Sequence, residues 1–433
     1  MFEWAVQRPV PCRRDVRKEA TVMVPTTTRP TCEIDVLDRN FYLDPHPGYA
    51  WIRANRPVYW DEGHSIWVLS RHADVSYVST HADLFCSGQG IRPQQSADLS
   101  LIGLDGERHV RQRRLLNQGF SPRMIRSMEQ RVRQVVTEVL DGLAGRSSCD
   151  FVAEVSVPVP LVVIAELMGL PVEDRVLLGQ WSDRMMGGEG RSDPNDPVFQ
   201  DAATAFGEYV DYVSGMVEER RQAHRGGGSV PDDIISVLVG ADEDGVLESN
   251  DELAHDELTM FMVILLVAGN ETTRNAISGG MWALNRFPDQ WQRLVDDPQV
   301  FATMADEICR FVSPVISFAR TATQDTEVGG VHIAEGEKVL MLYQSANRDE
   351  AVFDAPDILR LDRSPNPHLA FGVGPHVCMG INLARLEIRV LFEELTRRFP
   401  DMVVPSGVTP AYGEHALVHS IESLPTEFTP ERA

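Results

Sequence analysis

Ten residues near the end of the chain, FGVGPHVCMG at 371–380, hold one cysteine among three glycines, a proline and a histidine. Gly372, Gly374 and Gly380 admit backbone angles and close approaches that side chains forbid. The segment that follows, MGINLARLEIRVLFEELTRRF, places Ala384, Ile388, Leu391 and Leu395 on one helix face. Cys378 therefore sits where a glycine-rich loop becomes a helix. Unpaired N–H groups at a helix start favour an anion, and the thiolate is the form of cysteine that attacks electrophiles and binds metals. Most free cysteines are only small buried apolar groups, so the rest of the chain has to decide.

The six cysteines are Cys12, Cys32, Cys86, Cys149, Cys309 and Cys378, with no C-x-x-C pair. That spacing removes zinc ribbons, thioredoxin-like motifs and cysteine-ligated iron–sulfur clusters as simple readings. A long chain without a signal-peptide pattern is expected in a reducing, cytoplasmic setting rather than as a disulfide framework. One thiolate without partner thiols leaves nucleophilic catalysis or a haem iron held by a single cysteine.

With 433 residues, length alone allows two or three domains. The net charge of −24 argues against nucleic acid or an anionic membrane as the main partner. The longest apolar run, FMVILLVAG at 261–269, is too short to span a bilayer and predicts a buried helix. Residues 1–31, with RRDVRKEA and VPTTTRP, read as a loosely ordered extension in which Met23 is an alternative start, and residues 32–433 as the catalytic domain. VYW at 58–60 and IWVL at 66–69 predict a hairpin. Helical periodicity dominates from about 105 to 290, interrupted by loops at 185–197 and 224–233, the first placed where a lid could hinge. The alternating stretch 326–343 with its glycine turns predicts a small sheet. The expected fold is mainly α with a minor β portion.

Three more groupings carry chemistry. In AGNETT, 268–273, Gly269 costs the helix about 1 kcal/mol against alanine, and Glu271 and Thr272 are polar where burial is otherwise total. Either threonine hydroxyls bond back to the preceding turn and Glu271 pairs with Arg274, or a loosened helix beside an acid and an alcohol forms a proton-relay groove. In EICR, Glu307 and Arg310 share a helix face, a spacing that by itself usually means a solvated ion pair. In HVRQR, His109 and Arg113 are four apart, with Arg320 much later; such groups are routine on surfaces and also clamp carboxylates or phosphates.

The order A-G-x-E-T-T, E-x-x-R, F-G-x-G-x-H-x-C-x-G resembles the cytochrome P-450 family, the haem-thiolate monooxygenases, over about residues 34–427. NFYLDPHPGYAWIRANRPVYWDE, SGQGIRP, SANRDEAVFDAPD and NPHLAFG are similar to its soluble bacterial branch, and within it to actinobacterial hydroxylases of sterol side chains or methyl-branched lipids. The resemblance implies a single-domain fold with haem b between the long central helix and the cysteine-loop helix. It makes Cys378 the axial thiolate, with Phe371, Gly372 and Gly380 beside the sulfur. His109, Arg113, Arg320 and His376 match positions that pair with haem propionates, although DGERH at 105–109 lacks the family's usual proline. Ala268 and Gly269 make room for O2, and Thr272 with Glu271 and water delivers protons. Glu307 and Arg310 become a buried structural pair with Arg348 as a neighbour.

The same resemblance implies hydroxylation of an unactivated C–H bond with O2 and two electrons. No flavin or iron–sulfur domain is fused, so electrons come from a ferredoxin and its NAD(P)H-dependent reductase. The basic run RHVRQRR is either a solvated face or the ferredoxin's docking site, through Arg108, Arg111, Arg113 and Arg114. A monomer without a membrane anchor is expected. Apolar candidates for the substrate pocket are Ile91, Val263, Val267, Val315 and Ile316, with Met185 and Met186 near the lid. A sterol or branched lipid is the leading substrate, and a macrolide, polyketide or terpenoid the alternative. A peroxide-driven haem-thiolate enzyme would not need the Glu271–Thr272 pair, and a haem-binding sensor would need no electron donor.

Overall fold

The computed structural model of the chain describes residues 29–94, 100–117, 119–120, 122–188, 191, 193–227, 233–243, 253–413 and 417–431. Nearly all of the expected N-terminal extension, and parts of the loops at 185–197 and 224–233, lie outside these residues.

The architecture is mainly helical, as expected, and is organised by the 34-residue helix Leu253–Arg286. Its run of Phe261, Met262, Val263, Leu265 and Leu266 is apolar on every face, so it buries all round rather than along a stripe. Helices Pro158–Leu167, Arg175–Gly187, Pro197–Arg225, Met304–Val312 and Ile381–Arg398 pack against it. The last of these starts directly after the cysteine loop, and its stripe residues Ile388, Leu391 and Leu395 are fully buried. Among the described residues no helix is long and apolar enough to cross a membrane.

The β portion sits to one side. The predicted hairpin forms between Val58–Asp61 and Ile66–Leu69, with Trp60 opposite Trp67. Strand Lys338–Leu342 joins it in parallel, Ser317–Ala322 follows antiparallel, and Phe85–Cys86 closes the five-stranded sheet. The stretch 326–343 therefore splits: Thr326–Val328 and Val331–Ile333 make a separate hairpin, while its last strand belongs to the main sheet. A strand at Ser148–Asp150 interrupts the helical region and pairs with Pro425–Glu427 near the chain's end. Local pattern cannot announce a pairing between segments so far apart in sequence.

Candidate active site

Cys378 is ringed by protein, yet its sulfur keeps accessible surface because it faces a cavity between helices Leu253–Arg286 and Ile381–Arg398. The loop that presents it needs glycine: Gly372 and Gly374 have φ of +66° and +80°, in the left-handed region. The N–H of Cys378 donates to the carbonyl of Phe371 (2.8 Å), which folds the loop back on itself. Burial pushes the thiol pKa up, while the N–H groups of Gly380 and Ile381 and the charge of Arg113 pull it down. These donors stabilise sulfur as an anion.

The opposing wall comes from the central helix. Phe261, Ile264, Leu265, Ala268, Gly269, Thr272, Thr273 and Ala276 border the cavity, spaced as one helical stripe. Helix Pro158–Leu167 approaches here because Gly269 has no side chain; a Cβ there would lie 2.9 Å from Ile164 Cδ1. The helix is unbroken through 268–273, so Gly269 serves this close packing while also bordering the cavity. Leu101, Ile102, Phe120, Ile164, Val315 and Phe318 complete an apolar enclosure.

Of the substrate contacts expected from sequence, Val315 borders this cavity and the others do not. Val263 and Val267 are rotated about 140° and 100° away from Ala268 around the helix. Ile91 and Ile316 are core residues tied to the sheet, the Ile91 carbonyl accepting from Ala319 N (2.7 Å). Met185 packs half-buried against the core, and Met186 is buried. Phe261, Ile264 and Leu265 are absent from the sequence-based set, although counting turns back from Ala268 finds them.

Thr272 Oγ1 donates to the Ala268 carbonyl (2.8 Å), the back-bond that threonine makes in helices. Glu271 does not border the cavity: it is 2% exposed, with Oε2 at 3.1 Å from Arg274 Nε. Burial pushes its pKa up to about 7, against the pull of Arg274. The threonine back-bond and the Glu271–Arg274 pair, the first of the two alternatives for this motif, are both present.

At the other end, His376, Arg113 and Arg320 border the cavity and His109 stacks on His376 with ring centroids 4.1 Å apart. Gly106 opens the helix where the family pattern has proline, and His109 is nonetheless buried, its Nε2 without a hydrogen-bond partner among the described residues. Burial, reinforced by Arg320, His109 and Arg113, holds the pKa of His376 far below the usual range. Arg113 donates to the carbonyl of Val377, and neither it nor Arg320 has a carboxylate partner among the described residues. A sulfur facing an apolar enclosure, with two guanidiniums lacking carboxylate partners among the described residues and two histidines, fits an iron porphyrin carrying two carboxylates.

Glu307 and Arg310 are both fully buried and joined by two bonds of 2.7 Å. The expected neighbour Arg348 lies beside this pair, feeling the charges of Arg310 and Glu307 and sharing the Phe311 ring with Arg310, while it bonds Asp357 and the carbonyl of Phe311. The residue that completes the group is Arg363, its Nε 3.0 Å from Glu307 Oε2, and no spacing rule points to it. Arg310 also donates to the carbonyls of Asn347 and Pro356, which ties the segment before the cysteine loop to helix Met304–Val312.

Comparison with known proteins agrees with this geometry. The pattern of the family described as cytochrome P450 matches residues 299–420. A steroid C26-monooxygenase of Mycobacterium tuberculosis is 35% identical over 402 residues, covering 92% of this chain and 98% of that protein. A methyl-branched lipid omega-hydroxylase of the same organism is 36% identical over 408 residues, covering 88% and 90%. The structure of a Bacillus megaterium cytochrome P450 in complex with testosterone matches with a TM-score of 0.80 at 30% identity, covering 90% of this chain and 99% of that one. With its cysteine loop, acid–alcohol helix and buried Glu307–Arg310 pair, the chain belongs to the cytochrome P450 family of haem-thiolate monooxygenases.

Proposed function

We propose that this monooxygenase hydroxylates an unactivated C–H bond of a sterol side chain or a methyl-branched lipid, with electrons from a ferredoxin and its reductase. The observation that carries the substrate class is the cavity wall opposite Cys378, where Phe261, Ile264, Leu265, Ile164, Val315 and Phe318 offer apolar surface for a large hydrophobic molecule. The relatives' names point the same way.

Bound haem supplies the activation of O2 and the oxidising power for the C–H bond. The chain's residues do the rest. Cys378 ligates the iron as thiolate, and Arg113, Arg320, His109 and His376 hold the carboxylates. The apolar wall orients substrate and excludes water. Thr272 and Glu271 hold and move protons, and Ala268 and Gly269 leave space beside them. Residues 32–433 act as one catalytic domain, as a monomer in the cytoplasm.

For electron entry we keep the helix Gly106–Leu116, with one change. Arg113 borders the cavity, and the docking face for an acidic ferredoxin on the cysteine side is the rest of this basic run, Arg108, Arg111 and Arg114. Charge reversal at Arg111 and Arg114 should slow reduction by ferredoxin several-fold at low salt; an unchanged rate would refute this docking face.

The substrate class is tested by titrating the haem-loaded protein with cholestenone, a methyl-branched fatty acid and a macrolide while following the Soret band, then identifying products by mass spectrometry. A high-spin shift and hydroxylated product with the steroid or branched lipid are expected. Turnover of the macrolide alone would overturn the reading in favour of specialised metabolism.

A further inference from the structure

Helix Ile381–Arg398 borders two cavities with opposite faces. Leu383, Ala384, Glu387 and Ile388 line the one that faces Cys378. Asn382, Arg385, Leu386 and Arg389, at the i, i+3, i+4 and i+7 spacing of a single stripe, line another of about 350 Å³. Among the described residues the two cavities share no lining residue. The other walls come from helices Pro122–Ser127 and Met304–Val312, from Glu129 and from the short helix Pro298–Ala302. The volume is at the small end of ligand pockets.

Three guanidiniums and two carboxylates line this space: Arg126, Arg385 and Arg389 against Glu129 and Asp306. Arg389 is engaged twice, by Glu129 at 3.0 Å and by Glu393 at 2.8 Å. Glu129 has Arg133 as a second partner. Asp306 accepts from Arg385 Nε (2.8 Å) and lies 3.1 Å from His368 Nε2. Both acids are therefore satisfied while donors are left over. The terminal nitrogens of Arg385, the Asn382 amide and the whole Arg126 guanidinium have no hydrogen-bond partner among the described residues. The Arg385 fork is already oriented, because Asp306 holds its Nε edge and its Cζ lies 5.7 Å from the Phe371 ring centroid. Beside these donors the lining is apolar: Ile125, Ala305 and Leu386 are buried, and Phe301 packs half-buried against the core.

We propose that this second cavity binds a small organic monocarboxylate, its carboxylate held by Arg126, Arg385 and Asn382 and its hydrocarbon body resting on Ile125, Phe301 and Leu386. The surplus of one guanidinium over the carboxylates matches a single negative charge. Inorganic phosphate would satisfy the guanidiniums and leave the apolar wall wet, and an uncharged hydrocarbon would leave the guanidiniums without a counter-charge. The site is separate from the cavity that takes haem and substrate, so it stands whatever the substrate class.

The test is calorimetric titration of the haem-loaded protein with octanoate, after a bulky azole has ligated the iron and filled the haem cavity. Octanol and inorganic phosphate are titrated in parallel. Octanoate should bind the azole-filled protein once per chain, and the other two several-fold more weakly. Arg126→Ala, a change at an exposed side chain, and Ala302→Phe, which fills the cavity from its exposed rim, should each weaken octanoate several-fold while the azole spectrum stays that of wild type. Absence of octanoate binding to the azole-filled protein, an affinity unchanged in either variant, or octanol or phosphate bound as tightly as octanoate would overturn the proposal. Should one variant fail to fold, the other decides together with the octanol and phosphate titrations.

Discussion

Arg274 Nε lies 3.1 Å from Glu271 Oε2, and the same guanidinium reaches out to Asp183 Oδ1 at 2.9 Å. Glu271 is therefore tied through one side chain to helix Arg175–Gly187. Asn270 reinforces the link, its Nδ2 lying 3.2 Å from Ser182 Oγ. The acid thus shares its partner with an element that borders the central helix.

Arg274→Leu removes the interaction that opposes burial at Glu271. The carboxyl pKa should then rise above about 7. The limb of the pH–turnover profile that depends on Glu271 should move to higher pH, whereas Asp183→Asn, which removes a charge that raises the same pKa, should move it to lower pH. A limb that stays in place in Arg274→Leu would show that Glu271 does not set it.

Two buried carboxyls make stability fall as pH rises through their folded values. Glu271 and Glu387 are raised from 4.5 to about 7 and about 8, so the folded chain keeps protons that the unfolded chain releases. Their contribution is fully present below pH 4.5 and is lost as pH rises through those folded values. Each group weakens the fold by at most about 1.4 kcal/mol for every pH unit crossed between its unfolded and folded values. Four buried histidines with lowered pKa act in the opposite sense up to their unfolded value of 6.5, so melting temperatures of wild type should decline above that pH. The decline should be shallower in Glu387→Gln, which has no charge to bury above pH 8.

The buried group around Glu307 should respond far more strongly than the neighbouring Arg348. Glu307→Ala leaves Arg310 and Arg363 as uncompensated buried cations, a loss of about 3–5 kcal/mol. Arg348→Ala breaks a pair whose partner Asp357 is largely exposed, together with a stacking contact on Phe311 at 3.8 Å. Denaturant midpoints of the two variants should rank them in that order.

Gly269→Ala places a methyl 2.9 Å from Ile164 Cδ1. Overpacking of this kind costs about 1–3 kcal/mol. Adding Ile164→Val, which shortens the opposing side chain, should recover part of the loss. Full additivity in the double variant would mean that the two residues do not meet.

How much of this is legible in the sequence depends on the range of each interaction. The cysteine loop, its following helix and the hairpin at Trp60 and Trp67 are set by local glycine placement and periodicity, and each is found where the pattern puts it. The strand at Ser148–Asp150 and the role of Arg363 depend on residues far apart in sequence, which spacing does not encode. The substrate wall is an intermediate case. Val263 and Val267 follow from apolar character alone, whereas the face that looks into the cavity follows from the helical period counted from Ala268. The cavity carboxyl Glu387 is hidden for another reason: on a helix that also carries Glu393 and Glu394, only the fold distinguishes an acid without an arginine partner from those that have one.

The central claim is that Cys378 holds haem iron as a thiolate. Its most direct test is the absorption spectrum of the reduced, carbon monoxide-bound protein, recorded for wild type beside Cys378→Ser. Wild type should show the strongly red-shifted Soret band of a thiolate-ligated haem, and Cys378→Ser should lose it. A wild-type band at the position given by a neutral ligand, or a red-shifted band that survives in Cys378→Ser, would contradict the assignment.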